Sequence, residues 1–209
     1  MDLSIQRLSK AFNQKTVFHD LSFNISTGSR FAITGSNGSG KSTLLKILSG
    51  GTLPTSGKVI YTIDKSPVKE ECLFRFVHFV APYNTVIEEL TLKEIFQLHT
   101  RLGLLKSFSG FKSWFSKLDY PFDPDQQIKS FSSGMKQRVK LGLVLLDDRP
   151  LILLDEPTSN LDAQGKAWVF QLLKEMTNIQ TLIIASNDEI EIGQCQDRIF
   201  LQSHGDGTA

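Results

Sequence analysis

The sequence predicts an α/β fold assembled around one phosphate-binding loop. Three observations carry that expectation. Apolar stretches of strand length alternate with stretches of helical period along the 209-residue chain, the pattern of an α/β sheet. Residues 35–43, Gly-Ser-Asn-Gly-Ser-Gly-Lys-Ser-Thr, match G-x-x-x-x-G-K-[ST] and stand between an expected strand and an expected helix. The apolar run Leu151-Ile-Leu-Leu154 ends in Asp155 and Glu156. That places two carboxylates at the C-terminal end of a buried strand, where ligands bind in such sheets.

In chain order, residues 2–8 alternate apolar and polar, as a half-buried strand does. Val17, Leu21, Phe23 and Ile25 mark a second strand, and residues 29–34 form a buried third one leading into the loop. Leu44, Leu45 and Leu48 have helical spacing, so a helix is expected over 41–48. The turn at 54–57 introduces a strand at 59–63, and another is expected over 74–80, ended by Pro82. Thr91 and Glu94 have capping-box spacing, so a helix should run from there to about Gly103. Phe108, Phe111, Trp114 and Phe115 have roughly helical spacing, which suits packing in a small helical lobe better than base stacking. Pro121 and Pro124 interrupt what precedes them. Helices are expected after Ser133 to about Asp147 and over 163–176, with strands at 151–154, 181–185 and 198–201. The tail, 203–209, is expected to fray.

Composition narrows the classes. The length suits one large domain. The formal net charge of +1, with signs mixed along the chain, gives no basic stripe for nucleic acid. Lys136, Arg138 and Lys140 are expected to be a solvated helix face. Cys72 and Cys195 make no metal pattern and read as reduced thiols of a cytosolic protein. His78, His99 and His204 have no assigned role. The N-terminal segment lacks the pattern of a secretion signal. No apolar run approaches the roughly 20 residues that span a bilayer, so work at a membrane would need another chain.

The loop chemistry is direct. Small residues let backbone N–H groups turn inward around a phosphate chain, and the following helix aims its positive end at the same anion. Lys41 can reach the outer phosphates, and the Ser42 hydroxyl can ligate Mg²⁺. Asp155 can hold Mg²⁺ directly or through water, while Glu156 can orient or deprotonate an attacking water. Together these motifs point to a nucleotide triphosphatase.

A third segment lies between them: Phe131-Ser132-Ser133-Gly134-Met135-Lys-Gln-Arg138. The order phosphate loop, Ser-x-Gly with Lys-Gln-Arg, then Leu-Leu-Asp-Glu-Pro-Thr-Ser-Asn-Leu-Asp162, resembles the ATP-binding subunits of ABC transporters over nearly the whole chain. The resemblance implies a P-loop NTPase with a mixed sheet, an antiparallel strand-rich lobe and a small helical subdomain. It implies one ATP-binding domain over 1–209, with 83–135 as the helical subdomain. The cofactors would be ATP and Mg²⁺. By resemblance, Phe12 would stack on adenine with Val17 nearby. Gly35, Ser36, Asn37, Gly38, Ser39, Gly40, Lys41, Ser42 and Thr43 would wrap the phosphates. Ser42 and Asp155 would serve the metal, and Lys41 and Glu156 catalysis. Ser132, Ser133, Gly134, Met135 and Asp162 would meet the nucleotide of a second subunit, with 159–162 crossing the dimer interface.

Two positions depart from the family pattern. Pro82 stands where the family has Gln, and it offers no side-chain oxygen. Asn187 stands where the family usually has His, and its amide donates a hydrogen bond without becoming a cation. A slow, tuned ATPase is therefore expected, with Asn187 taking part in catalysis. The implied function is the ATP-hydrolysing subunit of a membrane transporter. It would work as a homodimer or paired subunit, cytoplasmic and peripheral on the inner face of the membrane through a separate transmembrane chain. Small bacterial exporter subunits, including those of haem export, are similar in length and in their helical lobe. Alternatives are a soluble ABC ATPase, such as an iron–sulphur assembly factor, and a slow or non-hydrolysing ATP-gated switch. The chromosome-maintenance branch is disfavoured, because the long coiled coils it needs between the loop and Ser132 are lacking.

Overall fold

The computed structural model describes residues 1–13 and 15–202. The expected fraying of 203–209, and His204, lie outside the described residues. Two compact units divide the chain. The first comprises residues 1–81, 149–156 and 177 onward, and the second comprises 82–148 and 157–176.

The first unit holds two sheets. One is antiparallel, in the order β2-β1-β4-β5, built from β1 (Asp2–Phe12), β2 (Lys15–Ile25), β4 (Ser56–Ile63) and β5 (Ser66–Val68). The other is parallel, in the order β6-β7-β8-β3-β9. Its strands are β6 (Val77–Val80), β7 (Leu151–Asp155), β8 (Thr181–Ala185), β3 (Arg30–Thr34) and β9 (Asp197–Phe200). Parallel and antiparallel pairing are thus divided between the sheets. β7, β8 and β3 are buried over nearly their whole length, which explains their continuous apolar runs.

That parallel order positions the site. Parallel neighbours end on the same edge, so β3 delivers Gly35, β7 delivers Asp155 and Glu156, and β8 delivers Ser186 and Asn187 to one rim. α1 (Lys41–Leu48) follows the loop and sinks Leu44, Leu45 and Leu48 into the core with Leu3, Ile5, Ile33, Leu153 and Ile183. Each such side chain, fully buried, contributes on the order of 1.5–3 kcal/mol.

The simple alternation expected for the first strand is broken. Leu3 and Ile5 are buried, but the next buried residue is Leu8. Arg7 adopts a φ of 45°, and the pairing with β2 shifts register between Ile5 and Leu8. A bulge of this kind switches the buried face from odd to even positions. Residues 74–76 are a correction. They were expected in a strand, but Glu70–Arg75 form a short 3-10 helix and β6 begins at Val77. Leu73 and Phe76, three residues apart, both pack inward, which suits a helical turn better than a period of two. The short helix α6 (Glu189–Ile192), capped by Asp188, was also not expected.

The second unit is helical. α2 (Leu92–Arg101) starts with both halves of the Thr91/Glu94 capping box in place. α3 (Phe111–Lys117), α4 (Ser133–Leu145) and α5 (Ala163–Glu175) complete it. Trp114 is fully buried, donates from Nε1 to the Gly142 carbonyl at 3.2 Å, and packs against Phe96 and Phe111. Trp114 is therefore core and Phe111 and Phe115 pack beside it, as their spacing suggested. Arg138 departs from expectation. It is buried rather than solvated, because its guanidinium donates to the Leu118 and Asp119 carbonyls and lies 4.6 Å from the Trp168 ring. No helix among the described residues is long and apolar enough to cross a membrane.

Candidate nucleotide site

The first unit assembles most of the residues singled out in the sequence. Gly40 caps α1 with a φ of 98°, and a Cβ there would lie 2.4 Å from Cγ1 of Val17. Only glycine satisfies both the left-handed backbone and that close approach. The turn is closed by Ser39 N–H donating to the Ser36 carbonyl at 3.1 Å. Lys41 is buried, and its Nζ donates to the carbonyls of Gly35 at 2.7 Å and Ser36 at 3.2 Å. Ser39 Oγ is buried with no hydrogen-bond partner. A cavity of about 440 Å³ opens over the loop, lined by Phe12, Val17, Asn37, Gly38, Gly40, Lys41, Ser42, Thr43 and Glu156. Phe12 is half exposed, with Lys10 Nζ 4.6 Å from its ring.

The carboxylates differ in environment. Asp155 is 3% exposed, and burial pushes its pKa above the usual carboxylate value; the Ser42 hydrogen bond opposes this, Glu156 adds to it, and Lys41 and Lys46 oppose it. Glu156 is exposed at the cavity, at a left-handed φ of 44°, and its N–H donates to the Ala185 carbonyl at 2.9 Å. Non-glycine residues take that conformation at an energetic cost, and such strain clusters at functional positions. The pair Ser42 and Asp155 supplies two oxygens already joined by a hydrogen bond. Mg²⁺ takes one or two protein oxygens and fills its octahedron from phosphates and water, so this donor set fits it.

Asn187 follows β8, where Ser186 N–H donates to the Ile33 carbonyl at 3.1 Å. Its side-chain Nδ2 donates to Oδ1 of Asn37 at 3.1 Å. The rim of the sheet thus brings Asn187 onto the phosphate loop.

The second unit holds the other motif residues. Ser132 caps α4, accepting from Met135 N–H at 3.3 Å, and Asp162 caps α5, accepting from Gly165 N–H at 2.7 Å. Ser132, Ser133, Gly134 and Met135 share a cavity of about 240 Å³ with Asn160, Leu161 and Asp162. A Cβ on Gly134 would come 2.8 Å from the Asn160 carbonyl oxygen, so the two segments touch. Tyr120 and Arg138 also line this cavity and were not anticipated there. For Arg138 a signal existed: it lies four residues after Gly134, on the same helix face. Nothing in the sequence marked Tyr120. Pro82, exposed, follows Ala81 after β6.

A glycine loop between β3 and α1, with a carboxylate pair ending β7 of the same parallel sheet, defines a P-loop nucleotide triphosphatase fold. The model of the ABC transporter family matches residues 18–159, and the chain belongs to that family as an ATP-binding cassette domain. Among curated proteins it is 29% identical over 210 residues to the "Uncharacterized ABC transporter ATP-binding protein YybJ" of Bacillus subtilis (strain 168), covering 97% of this chain and 93% of that one. It is 26% identical over 207 residues to the Nod factor export ATP-binding protein I of Rhizobium sp. (strain N33), covering 97% of this chain and 68% of the relative. Among solved structures, a dimeric post-hydrolysis state of the ATP-binding cassette MJ0796 bound to ADP and Pi superposes with a TM-score of 0.80. Identity is 23%, over 97% of this chain and 96% of that one.

Proposed function

We propose that this chain hydrolyses Mg·ATP as the energy-coupling subunit of a membrane transporter. It would close with a second ATP-binding subunit, a copy of itself or a paired chain, around two nucleotides. Separate membrane-spanning chains would be driven by that closure, which places the protein at the cytoplasmic face of a membrane. The observation that carries the reading is the gathering of Lys41, Ser42 and Glu156 at one cavity over the loop, with Asp155 hydrogen-bonded to Ser42. The names of the relatives, an export ATP-binding protein among them, support the transporter assignment.

In this mechanism the loop amides receive the phosphates, and Lys41 exchanges the Gly35 and Ser36 carbonyls for phosphate oxygens. Phe12 and Val17 take the base. Ser42 and Asp155 would hold Mg²⁺, whose charge would offset that of the phosphates. Glu156 orients the attacking water and accepts its proton. Asn187 donates a hydrogen bond to the terminal phosphate. Ser132, Ser133, Gly134, Met135 and Asp162 meet the nucleotide held by the partner. The helical subdomain, 83–135, belongs to the same ATP-binding domain. With Pro82 and Asn187 in place of Gln and His, the turnover is slow. These same two residues favour a second reading, an ATP-gated switch that does not hydrolyse.

The test is Glu156→Gln. It should retain ATP and lose turnover, since an amide cannot accept the proton. Hydrolysis at the wild-type rate in that variant would remove Glu156 from the mechanism. Undetectable single-turnover hydrolysis in the wild type would favour the switch. Copurification of membrane-spanning chains from detergent-solubilised membranes separates the transporter from a soluble assembly factor.

A further inference from the structure

Phe12 is half exposed and stands at the very end of β1. An exposed ring that moves among rotamers loses that freedom when a ligand stacks on it, and the loss weakens binding. Two features of the first unit hold the ring beforehand.

The first is the strand end. β1 pairs with β4 as far as Ser9, opposite Ser56, while β2 runs alongside it to Phe12, opposite Lys15. Beyond Ser9 the turn that precedes β4 takes over on the open side. Thr55 N–H donates to the Ser9 carbonyl at 2.8 Å, and Ala11 N–H donates to Thr55 Oγ1 at 2.9 Å. The same hydroxyl donates back to the Ala11 carbonyl at 3.3 Å. The second feature is a cation. Lys10 Nζ donates to the Leu53 carbonyl at 2.9 Å and lies 4.6 Å from the centroid of the Phe12 ring, within the range of attraction by the ring quadrupole. One turn, residues 53–55, thus fixes both the backbone next to Phe12 and the ammonium group over its ring. Phe12 lines the cavity over the phosphate loop, whereas Lys10 and Leu53 do not. The cation therefore covers the ring on the side away from the cavity and leaves the cavity side for a ligand.

We propose that Lys10 is a positioning residue for the base of the nucleotide. Its ammonium group, anchored on the Leu53 carbonyl, holds the Phe12 ring in place as the stacking platform. This rests on the reading above in which Phe12 takes the base. It adds a residue that does not touch the nucleotide and acts only through Phe12.

The experiment is a double-mutant cycle on the full chain: wild type, Lys10→Met, Phe12→Ala and the double variant. Turnover and KM are measured for each. Binding is titrated by calorimetry with Glu156→Gln added, using Mg·ATP and Mg·tripolyphosphate, which carries phosphates without a base. An exposed cation–π contact corresponds to about a two- to fivefold change in a binding constant. Lys10→Met keeps the side-chain bulk and loses the charge, so it should weaken ATP binding and raise KM by that factor, with kcat unchanged. Tripolyphosphate affinity should stay the same, which separates an effect on the ring from a general attraction of cation for anion. In the Phe12→Ala background Lys10→Met should have no further effect, since an orienter does nothing without the group it orients. If Lys10→Met lowers the unfolding temperature of the nucleotide-free chain, Lys10→Gln replaces it in the cycle. Wild-type ATP affinity in Lys10→Met or in Phe12→Ala, an equal loss for tripolyphosphate, or effects that multiply in the double variant would each overturn the proposal. Those outcomes leave the ATPase reading standing. Failure of the Glu156→Gln chain to bind ATP at all would overturn both.

Discussion

Gly40 and Cys195 show how far a single position can be reasoned about. At Gly40 the backbone is left-handed and the space beside it is already occupied by Val17. Gly40→Ala should therefore both strain the loop and push Val17 out of the cavity. We expect a loss of roughly 1–3 kcal/mol of stability and at least a tenfold loss of ATP affinity, read by denaturant titration and by nucleotide binding. Gly38→Ala, also left-handed at a φ of 80° but with nothing within 4 Å of its Cβ, carries the backbone strain without the Val17 clash and so separates the two effects. At Cys195, burial pushes the thiol up to about 12, with Arg30 opposing. The folded value lies above the unfolded one, so this contribution to stability is present below the ordinary thiol range and is lost as pH rises through it towards 12. Near pH 8 the native thiol should alkylate far more slowly than in denaturant, as intact-mass spectrometry would read. Equal rates would show that burial does not hold the thiol neutral. Cys195→Ala should flatten the alkaline loss of stability.

At the scale of elements, caps account for where helices begin. Thr91 Oγ1 accepts from the Glu94 N–H at 3.3 Å, while Glu94 accepts from the Thr91 N–H at 2.8 Å. Those reciprocal bonds also hold the Glu94 carboxyl below its ordinary pKa, through the Thr91 backbone first and its side chain second. Thr91→Ala should cost about 1 kcal/mol, measured by urea unfolding. ATP turnover should be unchanged, because the effect is confined to the start of α2. A similar loss with Thr91→Ser would show that the methyl group, not the hydroxyl, matters. The capping box was legible as a spacing. The bulge at Arg7 was not, because a one-residue slip leaves composition unchanged and reveals itself only through the partner strand.

For the whole molecule, the proposed dimer makes the strongest claim. ATP trapped in the Glu156→Gln background should bridge residues 35–43 of one copy and Ser132 with Gly134 of the other. The interface would be two-fold, so each substitution in it is felt twice. We expect light scattering to report a monomer without nucleotide and a dimer with ATP. An unchanged mass across a wide concentration range would count against it. Gly134→Ala should weaken the dimer, because its Cβ would lie 2.8 Å from the Asn160 carbonyl.

What the sequence determined by itself was the chemistry carried by short contiguous runs: residues 35–43, the acids closing 151–156, and the cap at Thr91. Such runs are legible because backbone geometry, glycine placement and helix caps act over a few residues. The tertiary structure decided what depends on distant partners. The burial of Arg138 follows from carbonyls at Leu118 and Asp119, which no helical period could reveal. The 3-10 turn that takes residues 74–76 out of the expected strand follows from the inward packing of Leu73 and Phe76. The bond between Asn37 and Asn187 exists because β3 and β8 are parallel neighbours whose ends share one rim, a pairing that sequence spacing does not encode.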